Sequence, residues 1–66
     1  MTATVNGEVR ELPKGFTIGA LLQLLGMACG GVAVAQNDSV VRRAQFDSQP
    51  IADGDRIEII RAVAGG

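Results

Sequence analysis

The sequence predicts an α+β domain, a mixed β-sheet packed on one main helix. Three observations predict it. Asn6-Gly7 lies between two short runs of strand character, "TATV" and "VREL". Ile18, Leu21, Leu22 and Leu25 recur at i, i+3, i+4 and i+7, the spacing of a single apolar helix face. The segment "RIEIIRAV" alternates, with Ile57 and Ile59 on one face and Glu58 and Ile60 on the other.

Residues 2–12 read as a β-hairpin, because Asn-Gly supplies the left-handed backbone that a tight hairpin turn requires. A two-residue turn would set Val5 opposite Glu8. A three-residue loop with a bulge would set Val5 opposite Val9, and this longer loop is expected because it buries Val9. Pro13, Lys14 and Gly15 break the strand. A helix is expected from about Ile18 to Met27, with Thr17 as N-cap and a staple between Phe16 and Leu21. Gly26, Gly30 and Gly31 offer places for it to end. "GVAVAQND" reads as a third strand closing at Asn37-Asp38, and "SVVRRAQF" as a short strand pairing back on it. "DSQPIADGD" is loop, punctuated by Pro50 and Gly54. The last strand is the most strongly β-branched segment, which suits a central position. Placed beside the first strand it runs parallel to it, with the helix in the crossover. The expected architecture is therefore the ubiquitin-like β-grasp, a mixed sheet of four to five strands on one main helix.

Length and composition bound the function. A chain of 66 residues is one domain, 1–66, too small for a large enclosed substrate cavity. No apolar run approaches the roughly 18 residues of a membrane span, and "MTATVNGEVRE" has no secretory character. A cytoplasmic location is expected. Six basic residues face seven acidic ones, with no aromatic platform, which argues against nucleic acid as a partner. Arg42-Arg43 read as a solvated edge. Cys29 is the single cysteine, so no intrachain disulfide forms, and with no histidine in the chain it has no imidazole to activate it. Asp53 and Asp55 flank Gly54 and read as a turn rather than a metal site. "GMACGG" lacks the Lys-Ser/Thr of a phosphate-binding loop. No metal, bound cofactor or catalytic apparatus is expected, and the chain is not read as an enzyme.

The sequence closes on "IRAVAGG". Glycine loses the most backbone freedom on folding, so a Gly65-Gly66 ending asks for a reason. "ADGDRIEIIRAVAGG", together with "VAVAQNDSVV" and "FTIGALLQLLGM", resembles the ThiS family, the sulfur carriers of thiamine biosynthesis. The resemblance covers the whole chain and is most specific from Asp53 to Gly66. The chain departs from the family where "VVRRAQF" replaces a Pro-Arg pair followed by Trp. The resemblance implies that an E1-like, ThiF-like enzyme adenylates the Gly66 carboxylate with ATP. Conversion to a thiocarboxylate follows, and the sulfur is delivered to a ThiG-like thiazole synthase.

Chemistry explains why such a carrier needs a tail and no active site. A carboxylate is a poor electrophile, and adenylation gives it a leaving group that a sulfur nucleophile can displace. The domain stays outside its partner while the carboxylate enters. Ala62, Val63, Ala64, Gly65 and Gly66 form the expected flexible tail. Extended, they reach about 17 Å, and the lack of a Cβ lets Gly65-Gly66 thread a narrow channel. Ile60 and Val63 are the candidate docking residues, apolar and placed beside the tail. A carrier that visits successive partners is expected to be a monomer. The alternatives are the small subunit of molybdopterin synthase, a ubiquitin-like protein modifier, and a plain binding module.

Overall fold

The computed structural model describes residues 1–27 and 31–61. Cys29 and the tail residues Ala62, Val63, Ala64, Gly65 and Gly66 lie outside the described residues. In chain order the elements are β1 (Thr2–Val5), β2 (Glu8–Glu11), α1 (Ile18–Leu24), β3 (Val32–Gln36), β4 (Ser39–Val41), a short 3₁₀ turn (Arg43–Gln45) and β5 (Arg56–Arg61). The strands form one five-stranded sheet in the order β2-β1-β5-β3-β4. β5 is parallel to β1 and antiparallel to β3, as expected for the β-grasp.

The first hairpin corrects the sequence expectation. Val5 stands opposite Glu8 and Thr4 opposite Val9, so the turn has two residues. Asn6 and Gly7 have φ of 51° and 84°, the left-handed pair of a tight hairpin turn. Leu12 follows the end of β2 and exchanges backbone bonds with Met1, so Val9 and Leu12, three positions apart, face opposite sides of the sheet. The structure buries Leu12 at 2% exposure and leaves Val9 at 72%. Val9 stands opposite Thr4 on the face away from the core, whereas Leu12 belongs to the core cluster with Ala3 and Val5.

Helix α1 is capped as the sequence predicts and is shorter than predicted. The Thr17 hydroxyl accepts from the Ala20 N–H at 3.1 Å. The remaining amides of the first turn find carbonyls: Ile18 N–H donates to Gln49 O, Gly19 N–H to Phe46 O and Leu21 N–H to Thr17 O. The helix stops at Leu24 rather than Met27. Gly26 adopts φ of 72°, and Gly26 and Met27 donate back to the Gln23 and Leu22 carbonyls, which closes a Schellman turn.

Ile18, Leu21 and Leu22 are fully buried against Val34, Ile57 and Ile59 of the sheet's inner face. Each such side chain contributes about 1.5–3 kcal/mol by leaving water. The segment read as one strand from Ser39 to Phe46 is strand only to Val41. The chain then coils into the 3₁₀ turn, which swings Phe46 into the core at 2% exposure. The following loop lies against the start of α1, where a Cβ on Gly19 would collide with the Asp47 carboxylate.

Candidate functional site

The candidate site is the end of β5 from which the tail departs. β5 is the central strand, and its alternation is realised as predicted. Ile57 and Ile59 face the helix, while Glu58 and Ile60 face away from it. On one side β5 pairs with β3 along nearly its whole length, from Ile57 opposite Gln36 to Arg61 opposite Val32. On the other side it pairs with β1 at Arg56 and Ile57 alone. The tail-proximal half is therefore held mainly by β3.

Two asparagines complete the grip on β5. Asn37, at the tip of the β3–β4 turn with φ of 52°, donates its N–H to Arg56 O, and its side-chain oxygen accepts the Arg56 N–H at 2.9 Å. Asn6, in the first hairpin turn, donates its N–H to Ile57 O, and its side-chain oxygen accepts the Ile59 N–H at 2.8 Å. Sequence reasoning read both only as turn residues. Their position in the turns was legible, but the long-range bonds were not.

At the start of β5, Asp55 gathers the loop and the sheet. Its carboxylate accepts from the Gln36 amide at 2.6 Å, the Ala52 N–H at 2.8 Å and the Asn37 amide at 2.9 Å. Gln36 is itself buried, donates to Pro50 O and accepts from Gln49. Burial pushes the Asp55 carboxyl up, but the bonds from Ala52, Asn37 and Gln36 outweigh it, and its pKa lies below the ordinary value. Asp53 accepts from the Thr2 N–H, and Gly54 takes φ of 87°. "ADGD" is thus a turn that fastens β5 to its neighbours. Among the described residues no group of His, Cys, Asp and Glu could hold a metal ion, and no helix is long and apolar enough to cross a membrane. Arg42 and Arg43 are both exposed.

Ile60 sits on the outer sheet face at 67% exposure, on the side away from Ile57 and Ile59 as the alternation predicts. The structure adds neighbours that the sequence reading missed. Ala33 lies directly across from Ile60, Ala35 across from Glu58, and Val40 across from Ala35. Val40 is 80% exposed. The available signal was the Val40-Val41 pair, since two successive strand residues cannot both face the core. Ile60, Ala33, Ala35 and Val40 form an apolar strip on the face opposite the helix, reaching the point where the tail leaves.

A sequence model described as the ThiS family matches residues 3–66. The chain belongs to the ThiS family. It is similar to the sulfur carrier protein ThiS of Escherichia coli, 32% identical over 66 residues covering 100% of both chains. The corresponding protein of Thermus thermophilus is 34% identical over 62 residues, covering 94% of this chain and 95% of that one. The fold agrees with the crystal structure of the thiamine biosynthesis protein ThiS from Geobacter metallireducens, with a TM-score of 0.83 at 32% identity and full coverage of both chains. A thiazole synthase of Paramagnetospirillum magneticum is 35% identical over 66 residues, but this chain spans only 20% of that protein's length. The relatives matched over nearly their whole length are sulfur carrier and thiamine biosynthesis proteins, in keeping with the β-grasp carrier expected from the sequence.

Proposed function

We propose that this ThiS-family chain carries sulfur on the α-carboxylate of Gly66 for the building of the thiazole ring. The observation that carries the reading is the match of the family to residue 66, taking in the Gly65-Gly66 ending as well as the folded body. The reaction follows from the chemistry of the group. An E1-like, ThiF-like enzyme transfers AMP from ATP to the Gly66 carboxylate, releasing pyrophosphate. Sulfide attacks the acyl carbon and AMP leaves with the electron pair, giving a thiocarboxylate and a released proton. That sulfur then passes to a thiazole synthase. The match of this chain to one fifth of certain thiazole synthases supports a partner of that kind.

In this reading the division of labour is physical. The body is a rigid mount, with β5 held between β1 and β3 and its inner face locked under the helix. The tail from Ala62 to Gly66 is slim enough to enter the partner, and Ile60 and Val63 lie at its root as docking residues. ATP is bound by the activating enzyme and not by this chain. The carrier acts as a monomer in the cytoplasm. The test is Gly65→Val. The variant is expected to fold as wild type, since the site lies beyond the last core residue, and to lose ATP–pyrophosphate exchange with the adenylating enzyme. Normal exchange by a folded Gly65→Val protein would overturn the slim-tail argument.

A further inference from the structure

We infer that Asn6 is a positioning residue for the tail, acting as a one-residue extension of β1 that holds the exit half of β5. The geometry is specific. In a parallel ladder, a strand residue donates its N–H to one residue of its neighbour and accepts, on its backbone carbonyl, the N–H two residues further on. Asn6 does the first with its backbone, donating to Ile57 O at 2.9 Å. Its φ of 51° turns the chain out of the strand and into the hairpin turn. The side-chain oxygen fills the vacated role, accepting the Ile59 N–H at 2.8 Å across 53 residues of sequence. The β1–β5 register stops at Val5 opposite Ile57, so among the described residues this hydrogen bond links the β1 side of the sheet to β5 beyond that point. Ile59 lies two residues before Arg61, the last described residue before the tail. An asparagine therefore meets two demands at once, a left-handed turn and a strand-like acceptor.

This inference rests on the carrier reading for its consequence, though not for its geometry. Two variants separate the demands. Asn6→Gly keeps a good turn, Gly-Gly, and removes only the acceptor. Asn6→Asp keeps a side-chain oxygen at the same reach. In Asn6→Gly, the Ile59 amide should exchange with solvent at least about tenfold faster, while amides of the β3–β5 ladder change little. The kcat for thiocarboxylate formation should fall about two- to tenfold, the worth of one hydrogen bond, with the KM for the carrier nearly unchanged because the outer face is untouched. Asn6→Asp should restore both. Unchanged Ile59 exchange in Asn6→Gly, or uniform acceleration of all amides, overturns the inference. So does a kcat equal to wild type, or a loss that Asn6→Asp fails to rescue. A wild-type protein that takes up no sulfur overturns the carrier reading and the transfer half of this inference, while the exchange pattern still decides whether Asn6 holds the strand.

Discussion

Asp55 shows how a single carboxylate can tie a loop to a sheet. Its donors come from β3, from the turn after it and from its own loop, namely Gln36, Asn37 and Ala52. Asp55→Asn leaves one oxygen where three donors share two, and turns an amide N–H toward one of those donors. Asp55→Asn is expected to cost about 1–3 kcal/mol at neutral pH, measured by urea unfolding. The pH dependence has a definite sign. The folded-state pKa lies below the ordinary 3.8, so the contribution is fully present above 3.8 and is lost as the pH falls through the lower, folded value. The gap between wild type and Asp55→Asn should therefore close in acid below that point. A gap that stays constant there would show that the carboxylate bonds do not carry the effect. Nothing in "ADGDR" announced this. The Asp-Gly pair was legible as a turn, but bonds spanning 18 and 19 residues depend on which strands become neighbours.

Among the elements, β5 was the most legible and β2 the least. β5 is dense in isoleucine with a clean alternation, and a strand that buries one face and is paired on both sides needs that composition. The helix was legible from Ile18, Leu21, Leu22 and Leu25 at regular spacing, and its early end follows from Gly26 taking a left-handed turn. The hairpin register was not legible, because Val9, in β2, and Leu12, just past its end, are both apolar and lie on opposite faces of the sheet. Only the position of the helix decides between them. The outer face has consequences of its own. Ile60 is 67% exposed and touches no core, so Ile60→Asp should leave stability within about 0.5 kcal/mol of wild type. If the strip of Ile60, Ala33, Ala35 and Val40 docks the activating enzyme, that variant should raise the KM for the carrier by about tenfold or more in pyrophosphate exchange. A folded Ile60→Asp with wild-type KM would remove Ile60 from the docking surface.

Taken whole, the molecule is a small body built to hold one strand. Helix, loop and two turn asparagines all fasten on β5, and β5 leads to the tail. The parallel β1–β5 pair was legible because the β-branched last strand suits a central position, and a last strand placed beside the first runs parallel to it across the helical crossover. The proposed chemistry of the tail rests on the family resemblance and on the lack of any competing apparatus in a chain without histidine. The measurement that tests the central claim most directly is intact-protein mass spectrometry. The protein is incubated with the organism's E1-like adenylating enzyme, ATP and a sulfur source, beside a variant lacking Gly66. A mass gain equal to one oxygen replaced by sulfur, present in wild type and absent from the truncated chain, is the predicted result. An unchanged wild-type mass with an enzyme shown to activate another carrier, or a conjugate of Gly66 to a lysine-bearing protein, would contradict it.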